Sequence, residues 1–221
     1  MVRCVLMFSG GRDSTLAAIR LASQGFKLTL VTITSSHLFG VEAVKGRLVE
    51  MAELLPPDTD WLLIRQPTEL HTDTSFYKQT CLPCHHAYVV VAGVVAQALG
   101  ITNLAFGYAG YQGTWPEQTP LATSRLSNVL SESGTRLLLP VYDLTSQAVA
   151  ERELESLGLS PLALEQKCSQ QVTNVELSDP QLRDQIALWE AAIRASTQKL
   201  DLIQTSILER AMLGELLQNA K

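Results

Sequence analysis

An apolar segment from Val2 to Phe8, interrupted by Arg3, runs directly into the hexapeptide Ser9-Gly10-Gly11-Arg12-Asp13-Ser14. A continuous apolar run of this length is typical of a strand buried in a parallel sheet, and the glycine pair ends it. Apolar residues at helical spacing follow from Ser14 to Ser23, and Gly25 stands where a helix would end. The chain therefore begins with a strand, a glycine-containing loop and a helix.

The same alternation continues along the chain. Strands are predicted at residues 27–33, 61–64, 103–106 and 136–141, and helices at residues 41–55, 87–99, 124–131 and 145–157. Strands separated by helices pair in parallel through right-handed crossovers. We therefore expect residues 1–178 to form an α/β domain, with an open, Rossmann-like parallel sheet flanked by helices.

Residues 179–221 have a different pattern. Asp179-Pro180 predicts the start of a helix, and apolar residues then recur at three- and four-residue steps as far as Ile207. We expect a long C-terminal helical extension over 179–221, as one helix or a broken pair. Its apolar stripe must be covered either by its own domain, as a helical hairpin, or by a second copy, so a homodimer contact through this helix is one expectation.

The composition limits the classes of partner. Of the 221 residues 46% are hydrophobic and 18% are charged, which indicates a packed globule rather than a disordered chain. The 17 Lys and Arg against 22 Asp and Glu give a net charge of -5, so tRNA is not the favoured partner. The sequence has no run of about 18 apolar residues and no basic segment before an apolar stretch, so we expect a cytoplasmic protein without a membrane partner.

The hexapeptide has the chemistry of an anion-binding loop. Gly10 and Gly11 let the backbone approach an anion, the N–H groups at the start of the next helix point into the loop, and the hydroxyls of Ser9 and Ser14 add donors. Asp13 suits a bare anion poorly unless a divalent cation intervenes, which implies Mg²⁺. The spacing matches neither a Walker loop nor the GxGxxG motif of dinucleotide-binding folds.

These six residues resemble the SGGxDS signature of the PP-loop ATP pyrophosphatases. The resemblance implies an adenine nucleotide alpha-hydrolase-like fold and an enzyme that binds ATP, adenylates a substrate carboxylate or amide oxygen, and releases pyrophosphate and then AMP. It implies catalytic roles for Ser9, Asp13 and Ser14. It also implies a nucleotide site made by Phe8, Ser9, Gly10, Gly11, Arg12, Asp13, Ser14, Ile33 and Gly107.

Within that superfamily, residues 2–168 resemble the 7-cyano-7-deazaguanine synthase family, which implies a part in queuosine biosynthesis. The loop at 107–117 is similar to that family's substrate loop, and residues 139–144 are similar to its later strand and turn. The chain also departs from the family. It lacks a four-cysteine zinc cluster after Cys168, and Cys81-Leu82-Pro83-Cys84-His85-His86 stands where the family has Pro-x-Arg-Asn.

The cysteines support a second interpretation. Cys81 and Cys84 form a Cys-x-x-Cys at the start of a predicted helix, where two thiolates can bind one metal, and Cys168 could return to the same end of the sheet. Three thiolates with a free position suit a 4Fe-4S cluster, whereas His85 or His86 as a fourth ligand suits Zn²⁺. The pattern also resembles the tRNA-thiolating PP-loop enzymes, which implies ATP-dependent sulfur transfer to tRNA or a nucleotide.

Two further interpretations stay open. Cys81 and Cys84 could be a redox pair or buried small side chains without a metal. The chain could also be a non-catalytic nucleotide-binding protein that regulates a partner, because it lacks the zinc cluster and has an added C-terminal segment. For the catalytic interpretations, the expected substrate is a small molecule or is nucleotide-like.

Overall fold

A computed structural model describes residues 2–70, 80–170 and 177–219. The strands are β1 (Val2–Met7), β2 (Phe26–Thr34), β3 (Leu38–Phe39), β4 (Asp60–Arg65), β5 (Asn103–Phe106), β6 (Arg136–Leu138), β7 (Lys167–Cys168) and β8 (Ser206–Met212). The helices are α1 (Arg12–Ser23), α2 (Val41–Met51), α3 (Leu82–Leu99), α4 (Pro120–Glu132), α5 (Gln147–Ser156), α6 (Asp179–Thr197) and α7 (Leu213–Asn219).

Six of these strands form one sheet, in the order β6-β5-β1-β2-β4-β8. The first five pair in parallel, and β8 is antiparallel to β4 at the edge. The short strands β3 and β7 pair separately, with Leu38 opposite Cys168. The predicted α/β class is confirmed, although the whole sheet is mixed rather than purely parallel.

Hydrophobic cores cover both faces of the sheet, as the near-continuous apolar strands predict. Along β2, Leu28 and Leu30 point into one core, and Val31 and Ile33 point into the other, because successive strand residues face opposite sides. The first core includes residues of α1, α2, α5 and α7, and the second includes residues of α3, α4 and α6. The sheet is therefore the middle of three layers.

Helix α3 is the most apolar helix that the structure describes. By length and composition alone, Leu82–Leu99 could cross a membrane, with 56% of that segment buried inside the protein. Most of its valines and alanines belong to the second core, and the helix packs against β1, β5 and α6. These contacts are those of a core helix.

The C-terminal segment differs from the predicted helical extension. Helix α6 ends at Thr197, and residues 206–212, predicted as helix, form strand β8. The prediction was wrong there because β4 offers unpaired N–H and C=O groups, and pairing with them outweighs the helical preference of the segment. Arg210 anchors the new strand through Asp60, with nitrogen–oxygen distances of 3.0 and 2.5 Å.

The reason for expecting a dimer also disappears. Ile186, Trp189 and Ile193 form the apolar stripe of α6, and all three are buried against the protein's own core. Helix α6 packs on α3 and α4, so its stripe needs no second copy. The domain boundary between residues 178 and 179 stays a prediction from sequence.

Candidate active site

A cleft of about 340 Å³ opens at the carboxyl ends of β1, β2 and β5. In open α/β sheets, ligands bind at the carboxyl ends of the strands. They bind where the chain connections that leave two neighbouring strands run in opposite directions. Of the predicted nucleotide contacts, eight line the cleft: Phe8, Ser9, Gly11, Arg12, Asp13, Ser14, Ile33 and Gly107. The fold therefore brings residues from three separate strand ends to one cavity, while their contact with ATP stays a prediction.

Two glycines allow the loop to pack as it does. Gly10 has φ +82°, and a β-carbon there would collide with the carbonyl oxygen of Leu164. Gly107, just after β5, lies so close to α1 that a β-carbon would sit 2.7 Å from the Ser14 nitrogen. Gly10 supports the loop from behind, which explains why it does not line the cleft.

Hydrogen bonds inside the loop fix its serines. The Gly11 N–H donates to Ser9 Oγ at 3.1 Å, and the hydroxyls of Ser9 and Ser14 are 3.1 Å apart. Helix α1 starts at Arg12, so its first N–H groups have no partner within the helix and are available to an anion. These features provide a preorganised set of donors with the positive end of the helix dipole behind it.

Asp13 is held by the loop at residues 107–117, the predicted substrate loop. The Tyr111 hydroxyl reaches both carboxylate oxygens, at 2.9 and 2.8 Å, and Gln112 Nε2 donates to Oδ2 at 2.8 Å. Burial raises the pKa of Asp13, and the hydrogen bond from Tyr111 opposes that shift. The sequence did not single out Tyr111 or Gln112, because their partner lies about a hundred residues away.

A second carboxylate lies at the loop. Glu165 lines the cleft, and its charge adds to the rise in the pKa of Asp13. Carboxylate oxygens beside a phosphate site are the donors that Mg²⁺ prefers. The carboxylate oxygens of Asp13 and Glu165 are therefore suitable ligands for the predicted Mg²⁺. Glu165 is a candidate Mg²⁺ ligand that the sequence did not reveal.

The three predicted metal ligands form no metal centre in the part of the chain that the structure describes. Cys168 lines the cleft, and the charges of Cys81, Cys84 and Cys168 act on one another. Burial is the main cause that raises the pKa of Cys81 to about 12 and of Cys84 to about 11. Within residues 2–70, 80–170 and 177–219, no three His, Cys, Asp or Glu side chains are grouped closely enough to hold a metal ion. The cluster or zinc site stays a prediction.

The two adjacent histidines face different parts of the protein, as their neighbouring positions on a helix predict. His85 lines the cleft, whereas His86 Nε2 lies 3.0 Å from Ser196 Oγ on α6. Among the described residues, no hydrogen bond joins His85 or His86 to a cysteine thiol. Cys84 Sγ instead lies 3.7 Å from His37 Nε2.

His85 belongs to a buried polar group that the sequence did not indicate. Its Nδ1 lies 2.8 Å from the Tyr108 hydroxyl, and its Nε2 lies 3.4 Å from Glu117 Oε1. Burial lowers the pKa of His85, although the nearby Glu117 opposes that shift. The three side chains meet only because α3 and the loop after β5 pack together, so no local sequence pattern predicts this group.

Comparison with known structures identifies the fold. No family model matches the sequence, and no curated protein matches it. A 4-thiouridine synthetase, solved with RNA and bound ATP, is 16% identical over 94% of this chain, with a TM-score of 0.63. The chain has an adenine nucleotide alpha-hydrolase-like fold. It spans 55% of the length of that synthetase.

A second solved structure shares this fold. The U34-tRNA thiolase NcsA from Methanococcus maripaludis, solved with its 4Fe-4S cluster, is 13% identical to this chain, with a TM-score of 0.52. The match covers 92% of this chain and 73% of that one. At such identities the similarity establishes the architecture and leaves the reaction to be argued from the site.

Proposed function

We propose that this protein is a PP-loop ATP pyrophosphatase that adenylates an oxygen atom of a nucleotide-like substrate. The observation that carries the proposal is the loop Ser9–Ser14, whose two serines and helix start line a cleft of about 340 Å³. The bound ATP of the 4-thiouridine synthetase, which has the same fold, supports ATP as the nucleotide. Phe8, Ile33 and Gly107 are the proposed adenine contacts.

In the first half-reaction, the substrate oxygen attacks the α-phosphorus of ATP, and the bond to pyrophosphate breaks. The donors of Ser9 and Ser14, together with the first N–H groups of α1, stabilise the charge that develops on the leaving pyrophosphate. Asp13 and Glu165 would hold Mg²⁺, which neutralises phosphate charge when bound. Catalysis by the protein then consists mainly of positioning and charge stabilisation.

For the second half-reaction we favour sulfur transfer. A sulfide donor attacks the adenylated carbon, the carbon–oxygen bond breaks, and AMP leaves with the oxygen, so no external oxidant or reductant is required. Cys168 lines the ATP cleft, and its charge interacts with the charges of Cys81 and Cys84. If a metal group is present, these three cysteines are its proposed ligands, but no step is assigned to it, because they do not converge here.

Nitrogen transfer is the second candidate. Here ammonia displaces AMP from an adenylated carboxylate, as the resemblance to the 7-cyano-7-deazaguanine synthase family implies. The observation in its favour is that the loop similar to that family's substrate loop does reach the cleft, with Gln112 in the lining and Tyr111 on Asp13. This reaction would belong to queuosine biosynthesis.

One reconstitution experiment tests both candidates. Protein purified without air is incubated with Mg-ATP and either sulfide plus unmodified tRNA or uridine monophosphate, or ammonium plus 7-carboxy-7-deazaguanine. AMP and pyrophosphate are quantified, and the acceptor is analysed by mass spectrometry. A sulfur-containing product supports the first candidate and an amide or nitrile product the second. ATP binding without AMP from any acceptor would instead favour a regulatory protein.

The proposed compartment is the cytoplasm, with no membrane partner. Cys4, Cys81, Cys84 and Cys168 are all free thiols. Free thiols near a ligand site are typical of reducing compartments. Cell fractionation with an antibody to the protein measures this directly, and recovery in the membrane pellet after a high-salt wash would contradict it.

A further inference from the structure

We infer that Tyr108 accepts a hydrogen bond from a ring N–H of the substrate, and that the cleft therefore selects heterocyclic lactams, rings that carry an N–H beside a carbonyl. This inference rests on the proposed function, because it concerns the substrate of the same cleft. It adds a specificity-determining residue and a substrate class.

Tyr108 is close to the loop in both chain and space. It follows Gly107, whose backbone packs directly on Ser14, and it lines the cleft although it is only 4% exposed. Its ring lies 5.2 Å from the Phe106 ring, centroid to centroid. With Tyr88, which also lines the cleft, these rings give one side of the cavity aromatic walls against which a planar heterocycle can pack.

The surroundings of His85 fix the direction of its contact with Tyr108. Glu117 is 1% exposed, and its Oε1 lies 3.4 Å from His85 Nε2. A carboxylate beside Nε2 favours the imidazole tautomer that carries its proton on that nitrogen. Nδ1 is then a bare acceptor, so the Tyr108 hydroxyl, 2.8 Å away, donates to it.

A hydroxyl has a single hydrogen and two lone pairs. Once Tyr108 donates to His85, its oxygen can only accept further hydrogen bonds, so it matches a donor on the substrate. Burial holds the pKa of Tyr108 well above its usual range, which keeps that hydrogen in place. Glu117 acts through His85 and is therefore a positioning residue. None of the described side chains donates a hydrogen bond to Glu117 Oε2.

The neighbouring amides are already engaged. Gln118 Nε2 donates to Gln112 Oε1 at 2.6 Å, and Gln118 Oε1 accepts from the Ala109 N–H at 3.0 Å. Gln112 Nε2 donates to Asp13. Among the described residues, the hydrogen-bond partner of the Tyr108 hydroxyl is His85 Nδ1, so its lone pairs can accept from a substrate. A ring N–H held there directs the adjacent carbonyl oxygen, the atom to be adenylated, toward the loop.

The test compares matched probes that differ in one hydrogen-bond donor. Uridine monophosphate is compared with 3-methyluridine monophosphate, and guanosine monophosphate with 1-methylguanosine monophosphate. Dissociation constants are measured by calorimetry with saturating α,β-methylene-ATP, which cannot be cleaved at the α–β bond. For at least one pair, the wild-type protein should prefer the N–H form by about tenfold, the usual cost of an unmade buried hydrogen bond.

The Tyr108→Phe variant should reduce this preference to about twofold or less. Tyr142→Phe is the matched control, because Tyr142 does not line the cleft and its hydroxyl donates to a backbone carbonyl, that of Gln118. A preference that persists in Tyr108→Phe would overturn the inference, as would failure of all four probes to bind. Loss of ATP-analogue binding by the wild-type protein would overturn the proposed function instead.

Nitrogen-detected NMR of the histidine rings gives an independent readout. His85 should carry its proton on Nε2 in the wild-type protein, and Glu117→Gln should shift the ring toward a mixture of tautomers because the favouring charge is gone. The His85 signal is assigned by its loss in His85→Gln. A wild-type proton on Nδ1 would reverse the Tyr108 hydrogen bond and overturn the inference.

Discussion

Gly107 packs on Ser14 so closely that a β-carbon on Gly107 would lie 2.7 Å from both the nitrogen and the α-carbon of Ser14. Backbone atoms cannot rotate away as a flexible side chain can. The end of β5 therefore sets the position of the first turn of α1. The geometry of the loop at residues 9–14 depends on a residue about ninety positions away.

Gly107→Ala should consequently damage both the loop and the fold. The added methyl group must push the Ser14 backbone aside, and overpacking of this kind costs about 1–3 kcal/mol in the free energy of unfolding. Because the same movement displaces the donors of Ser14, ATP affinity should fall at least about tenfold. Urea unfolding and calorimetric titration with ATP measure the two effects.

Gly46→Ala is the matched control for that substitution. Gly46 lies within α2, and a β-carbon there would meet no atom within 4 Å. Alanine is favoured over glycine inside a helix, so this variant should gain about 0.5–1 kcal/mol and bind ATP normally. Equal ATP affinity in Gly107→Ala and the wild type would refute the proposed contact between β5 and the loop.

Tyr111→Phe should shift the pH dependence of AMP formation. The Tyr111 hydrogen bond stabilises the ionised Asp13 carboxylate and so lowers its pKa against the effect of burial. Its removal raises the pKa of Asp13, so activity that needs the ionised form should be lost at a higher pH as the solution is acidified. Rate–pH profiles of the variant and of Tyr142→Phe check this, and an unmoved acid limb in Tyr111→Phe would contradict a role for ionised Asp13.

The local signals of the sequence were sufficient for the loop and for most of the sheet. A strand, a glycine pair and a helix start lie within residues 2–23, so propensity and turn chemistry act on neighbouring residues there. The same holds for β5, whose predicted limits of 103–106 are the observed ones. Where the determinants are consecutive in sequence, the prediction and the structure agree.

Nonlocal packing explains what the sequence could not reveal. Strand β8 contains residues that favour a helix, and only its pairing with β4, about 150 residues earlier, makes it a strand. His85 belongs to α3, whereas Tyr108 and Glu117 belong to the loop after β5, so no spacing rule brings the three together.

Alkylation should distinguish protonated thiols from metal-bound or activated thiolates. Because the pKa of Cys81 is raised to about 12 and that of Cys84 to about 11, both are thiols at pH 8 in this structure. Only thiolates react, so iodoacetamide should modify Cys84 roughly a hundredfold more slowly than a free cysteine with a pKa of about 8.5. Peptide mass spectrometry after timed quenching measures the rate. Reaction as fast as that of a free cysteine would mean that the surroundings of the Cys-x-x-Cys differ from those described here.

Leu213→Ala should destabilise the whole protein, because the C-terminal segment is part of the core. Leu213 follows β8 directly and is fully buried, so truncation should cost about 2–5 kcal/mol in the free energy of unfolding. Leu202→Ala is the control: Leu202 is 71% exposed, and its truncation should change stability by less than about 0.5 kcal/mol. Urea denaturation followed by tryptophan fluorescence reports on both, since Trp61 and Trp189 lie in opposite cores. If both variants unfolded like the wild type, residues 206–219 would be an appendage and β8 would not belong to the sheet.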